Sequence, residues 1–224
     1  MKRSAELPGA ALVVWGALFF NWVLAFINAH GINISPSYVA LCEILLMASA
    51  MAWVLKQGLV RDQVFVLLVY VGCFVFTLLR FAYAEAFDLK SMRDLAIIFV
   101  FICLGLSSRA QPYKLVYYVT LAIAAIGIVE ILFPDIYYGL LNIKQYYINS
   151  RGFTEADFWN TNSDLFVSGT RPGERFFLAF TNWPRASSVF LEPVSLGNFI
   201  IVSLTVLLAG WKKLPLVPVV IWAT

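Results

Sequence analysis

The sequence predicts an all-α fold: a polytopic bundle of transmembrane helices with about six spans, a partial seventh, and one long loop on the outer side. Three observations predict it. Of 224 residues, 61% are hydrophobic and 13% charged, where soluble domains carry about 25% charged residues. Mean hydropathy is +0.82. Runs with little or no charge recur at about 20 residues, the length a helix needs to cross a hydrocarbon core of about 30 Å. This balance excludes a water-soluble enzyme. The net charge of +3 is small for so long a chain, and nothing in the sequence points to nucleic acid.

Residues 1–133 hold five predicted spans. The first, Pro8 to Ala29, has no charge in 22 residues and follows the basic start Met1-Lys2-Arg3. A cleaved leader has an apolar stretch of only about 7–15 residues before a small-residue cleavage site, so this reads as a retained span. The second, Pro36 to Leu55, is interrupted only by Glu43, and the third, Val64 to Leu79, is extended by Arg80 to Ala84. The fourth, Leu95 to Leu106, has 12 strictly apolar residues, about 18 Å of helix. It crosses only by drawing Arg93 and Asp94 into the membrane interface. The fifth, Tyr113 to Phe133, holds Glu130 near its end and is stopped by Pro134.

Residues 134–191 are polar by comparison and form the long loop. Residues 192–224 hold the sixth span, Pro193 to Gly210, which ends at Trp211-Lys212-Lys213. Leu214 to Thr224 then starts another apolar run of 11 residues, too short to cross. It reads either as a re-entrant tail or, the favoured reading, as the beginning of a seventh span in a longer chain.

Charge assigns the sides. With the N-terminus in the cytoplasm, the inner segments carry Lys2, Arg3, Lys56, Arg61, Arg109, Lys114, Lys212 and Lys213, and the short outer segments only Lys90 and Arg93. This is the positive-inside asymmetry, and it puts the loop of residues 134–191 outside. Cys42, Cys73 and Cys103 each fall within an apolar run and read as small buried hydrophobes rather than a disulfide set.

Ionisable residues within spans are costly and are functional candidates by default. Arg80, Glu85, Asp88, Lys90, Arg93, Asp94 and Glu130 gather near the outer ends of the third, fourth and fifth spans, which predicts a shared site at that face. Arg80 and Arg93 offer guanidinium forks suited to an anionic lipid headgroup, or else pair with Glu85 and Asp94 as structural glue. The loop is electrically balanced, with five basic and five acidic residues, and has 13 aromatic residues in 58, among them Tyr137-Tyr138, Tyr146-Tyr147, Phe176-Phe177, Trp159 and Trp183. Rings mixed with Asn, Asp and Arg suit a sugar, though Tyr and Trp also belong to an aromatic belt at the membrane interface. There is no GxxxxGK[ST], GxGxxG, HExxH or CxxC motif, so neither a nucleotide nor a metal site is expected and no cofactor is implied. The single histidine, His30, ends the first span and reads as a headgroup contact rather than a base.

The most distinctive segment runs from Asn182 to Phe199, out of the loop and into the sixth span. Pro193 suits the first turn of a helix and Glu192 lies near its positive start. Arg185 places a cation at the outer mouth of the bundle, with the hydroxyls of Ser187 and Ser188 nearby.

An Arg-x-Ser-Ser/Gly-x-Phe-x-x-Pro stretch that closes a long outer loop and opens a membrane helix resembles the O-antigen ligase and O-antigen polymerase superfamily of bacterial surface-polysaccharide enzymes. The matching residues are Arg185, Ser187, Ser188, Phe190 and Pro193, with Gly197 following. The resemblance covers roughly Leu95 to Trp211; earlier spans fit by hydropathy alone. It implies metal-independent glycosyl transfer at the periplasmic face of the bacterial inner (plasma) membrane, from a glycan carried on undecaprenyl pyrophosphate, alongside other polysaccharide-assembly proteins. By the same resemblance Arg185 engages the pyrophosphate, with Arg93 and Arg80 as weaker companions and Ser187, Ser188 and Trp183 lining the substrate. Glu130, Glu192 or a loop aspartate would be the base. The acceptor is a second lipid-linked repeat unit for a polymerase or lipid A core sugars for a ligase. Ligases of this kind use a histidine in their later part, which these 224 residues lack; this fits either the polymerase branch or a longer chain. Polymerase is the leading expectation. The alternatives are a ligase, a transporter of lipid-linked glycan, and an inactive fragment.

Overall fold

The computed structural model describes residues 7–84, 88–107, 112–158 and 185–209. All regular secondary structure among them is helical. Among the described residues four helices are long and apolar enough to cross a membrane, over Gly9–Ala29, Pro36–Gln57, Arg61–Tyr83 and Tyr113–Leu132. They correspond to the first, second, third and fifth predicted spans. The chain divides into two compact units, one of residues 1–14 and 43–111, the other of residues 15–42 and 112–224. Helices α1 (Leu7–Ala29) and α2 (Pro36–Gln57) each contribute to both.

In the first unit, α3 (Arg61–Ala84) packs on α4 (Leu89–Ser107). A small core of Ala10, Ala50, Val54, Cys103 and Leu104 gathers α1, α2 and α4. Gly9 is a residue of close approach: a Cβ there would overlap the indole of Trp53. Asp88 starts α4, accepting bonds from the Lys90 backbone N–H at 2.9 Å and the Ser91 hydroxyl at 2.5 Å. The serine hydroxyl, followed by that N–H, holds its carboxyl below the usual value. Helix α4 is longer than its 12 apolar residues suggest, because Lys90, Arg93 and Asp94 are helical too. Those three charges set it apart from the four helices apolar enough to cross.

Gln63, which is 1% exposed, has every polar atom occupied. Its Oε1 accepts from the Val60 N–H at 2.8 Å, and its Nε2 donates to the Cys103 carbonyl at 2.9 Å and to the Ser107 hydroxyl. One buried amide thus joins the start of α3 to the end of α4 where water cannot satisfy either. Of the cysteines only Cys103 is buried; Cys42 is half-buried and Cys73 faces outward from α3. The expected burial therefore fails for Cys73.

In the second unit, α5 (Pro112–Leu132) packs on α8 (Pro193–Ala209) and on a 3₁₀ turn at Ser188–Phe190. Helix α1 leaves the unit's core through Gly31, whose φ of +107° suits a residue without Cβ.

The predicted loop 134–191 begins instead with two short helices, α6 (Pro134–Leu141) and α7 (Ile143–Arg151). Pro134 stops α5 because it has no N–H for the ladder, and the same missing N–H suits the first turn of α6. Asn142, at φ +40°, closes α6 through its N–H to the Tyr138 carbonyl and opens α7 by accepting the Gln145 N–H. The inward side chains are Tyr137, Tyr138, Leu141, Ile143, Tyr146 and Tyr147, which with Leu24, Ala25 and Leu191 make the largest buried cluster. The partial seventh span, the rest of the loop (159–184) and Trp183 within it lie outside the described residues.

Candidate functional site

Glu130 is fully buried, two residues before the end of α5. A carboxylate has about four lone-pair positions, and here all four are taken. Oε1 accepts the Tyr138 hydroxyl at 2.5 Å and the Ser187 hydroxyl at 2.6 Å; Oε2 accepts the Ser187 N–H at 2.8 Å and the Ser188 N–H at 2.6 Å. The residue therefore clamps the segment Ser187–Glu192 onto α5 from within, and no acceptor position remains for a substrate hydroxyl. Sequence reading offered Glu130 as a base; its surroundings make it a positioning residue.

The clamped segment is strained. Ser188 and Leu191 adopt φ of +48° and +59°, each costing about 1–3 kcal/mol in a residue other than glycine. The surroundings hold it there. The Ser188 hydroxyl donates to the Ile123 carbonyl at 2.7 Å, Tyr137 donates to the Ser188 carbonyl at 2.7 Å, and Tyr147 donates to the Leu191 carbonyl at 2.8 Å. Arg151, at the end of α7, forms an ion pair with Glu192 and lies 4.8 Å over the Tyr147 ring. Burial raises the Tyr137 phenol above its usual value, with Glu130 adding to the effect, and burial followed by Glu192 raises that of Tyr147. Helix α7 is itself pinned to α1 by Tyr146 on the Asn21 amide at 2.8 Å and by Asn149 on the Asn28 amide at 3.0 Å.

The other sequence-named residues separate clearly. Arg185 is half-buried, two residues before the clamp, and among the described residues no carboxylate is paired with it. Glu192 is partly exposed beside Arg151 and faces Ser195 at 3.5 Å. Ser187 and Ser188 spend their hydroxyls on Glu130 and the Ile123 carbonyl, so they build the segment rather than line a surface. Arg93 has both ends of its fork engaged, with Glu43 at 2.8 Å and Asp94 at 2.9 Å. It joins α2 to α4 within the first unit, the structural pairing foreseen for Asp94. Arg80 is exposed on α3. Glu85 lies outside the described residues. Of the expected outer cluster, Arg80, Asp88, Lys90, Arg93 and Asp94 belong to the first unit and Glu130 to the second, where all its partners lie. His30 is exposed, with Nδ1 2.7 Å from the Phe26 carbonyl and its ring 4.2 Å from that of Phe26.

Sequence reading missed the tyrosines as structural anchors. The pairs Tyr137-Tyr138 and Tyr146-Tyr147, nine residues apart, suggested belt or sugar-stacking residues, yet all four are at least 96% buried. No protein-family model matches the chain, and no curated protein or solved structure matches it.

Proposed function

We propose that the protein is a membrane glycosyltransferase of the polysaccharide-polymerase type, joining repeat units carried on a polyprenyl pyrophosphate at the outer face of the bacterial inner membrane. The observation that carries this reading is the rigid segment Ser187–Glu192. A strained strap is held against α5 by Glu130 on the Ser187 and Ser188 N–H groups and by the Tyr137 and Tyr147 hydroxyls on its carbonyls, and two residues before it stands Arg185, a cation with no paired carboxylate among the described residues.

In such a reaction the acceptor hydroxyl oxygen bonds to the anomeric carbon of the donor glycan. The bond from that carbon to the pyrophosphate oxygen breaks, and the electron pair leaves with the pyrophosphate. A fixed guanidinium stabilises the charge that develops there, and its planar fork matches phosphate oxygens. The proton of the acceptor passes to a base. Glu192 is the candidate for it, being partly exposed and held by Arg151, whereas Glu130 is enclosed. The six-span topology, with the N-terminus in the cytoplasm and residues 134–191 outside, belongs to the same reading and is supported by the distribution of Lys and Arg.

The test is polymer formation by the purified full chain in nanodiscs supplied with lipid-linked repeat units. Arg185→Ala is expected to slow the reaction by about 10²–10³, the scale of losing one charge-stabilising group, with Arg185→Lys intermediate. Unchanged rate and polymer length in Arg185→Ala would remove the residue from the reaction. Translocation of the substrate without bond formation would replace the enzyme with a transporter.

A further inference from the structure

The outward face of α6 continues an apolar stripe that begins on α5. On α5, Leu121, Ile128 and Leu132 are exposed at helical spacing, and the stripe passes through Phe133 to Ile136 and Leu140 on α6. Ile136 is 67% exposed and Leu140 41%, while Tyr137, Tyr138 and Leu141 on the opposite side are at most 4% exposed. Helix α6 is therefore apolar on both sides, with protein behind it and none of this unit's described residues in front. Neighbouring α7 differs: its outward positions Gln145 and Arg151 are polar.

We infer that α6 is an interfacial helix seated at the boundary of headgroups and acyl chains, with Ile136 and Leu140 in the hydrocarbon. The occupant follows from continuity. Leu121, Ile128 and Leu132 face outward from a helix long and apolar enough to cross the bilayer, so the lipid that covers them extends without a break onto Phe133, Ile136 and Leu140. Water against two large aliphatic side chains in line with three more would be an exposed patch of the kind soluble surfaces avoid. Asp135, exposed in the first turn, marks the headgroup side, where its charge stays hydrated and lies near the positive helix start.

This seating has a consequence for the strap. The side of α6 opposite the lipid carries the two hydroxyls that hold the Ser188 carbonyl and the Glu130 carboxylate. The bilayer thus presses on the helix that fixes the strained segment, and the inference does not depend on the reaction proposed above.

The experiment uses single spin-labelled cysteines in a background lacking Cys42, Cys73 and Cys103, in phospholipid nanodiscs. Labels at Ile136 and Leu140 are expected to match one at Val129 on α5, with high accessibility to oxygen and low accessibility to a water-soluble nickel complex; a label at Gln145 shows the reverse. Nickel accessibility at 136 and 140 equal to that at Gln145 would place α6 in water. Exclusion of both reagents would place it against a second copy or another protein. Either result overturns the inference. The unmodified chain gives a second measurement, since diazirine-tailed phospholipid should leave adducts on residues 133–140 and none on 145–151; absence of adducts on 133–140 counts against it.

Discussion

A carboxylate taken out of water must have its lone pairs filled by donors that do not move, and Glu130 meets that demand with two hydroxyls and two backbone N–H groups. The two oxygens differ. Oε2 faces backbone donors only, whereas Oε1 faces hydroxyls that can turn and accept. Glu130→Gln can therefore keep the clamp, its carbonyl on the N–H groups of Ser187 and Ser188 and its amide on the hydroxyls. Glu130→Ala leaves four buried donors without partners, at about 1–3 kcal/mol each, and should cost at least about 4 kcal/mol, against about 1–2 for the glutamine. Thermal unfolding in detergent measures both. Equal loss in the two variants would show that charge, and not the pattern of donors, holds the strap. The clamp was not legible in the sequence, which marked Glu130 as a functional candidate near the end of a span and a possible base. Its partners lie 8, 57 and 58 positions away.

At the scale of elements, α6 and α7 convert a stretch read as loop into the part of the protein that holds the strap. Each is short, at 8 and 9 residues. Isolated helices of that length are marginal in water, so tertiary packing and the Asn142 hinge decide them. Their buried tyrosines give a pH signature. Burial raises the Tyr137 and Tyr147 phenols above their usual value near 10. Above pH 10 the unfolded chain releases these protons while the folded chain keeps them, so folding stability is whole below pH 10 and declines as pH rises beyond it. The slope is about 1.4 kcal/mol per pH unit for each tyrosine. Melting curves between pH 9 and 11.5 should show this decline, and Tyr137→Phe combined with Tyr147→Phe should flatten it. An unchanged alkaline limb in the double variant would assign the decline to other groups. The crossing helices, by contrast, were plain in the sequence, because hydropathy over about 20 residues is sufficient to define a span.

For the whole molecule, the asymmetry of Lys and Arg predicts a topology that can be read directly. An impermeant thiol reagent added to intact cells lacking an outer membrane should label a cysteine at Gly152, after α7, and should spare one at Leu59, between α2 and α3, until the membrane is opened. The opposite pattern would invert the orientation and move the strap to the cytoplasmic side. The sequence by itself determined that the chain is helical and suited to a membrane, and where four of the crossing helices lie, since transfer of apolar side chains from water to hydrocarbon is a local property of each run. It also singled out the Arg185–Pro193 segment. Tertiary contacts alone settle which of the scarce polar groups are spent on partners within the described residues. Glu130, Ser187, Ser188, Gln63 and Arg93 are consumed by partners 1 to 65 residues distant, whereas Arg185 has no carboxylate paired to it among the described residues. In a medium without water each buried donor and acceptor must find its match within the protein, and that match depends on which distant residues the fold brings together.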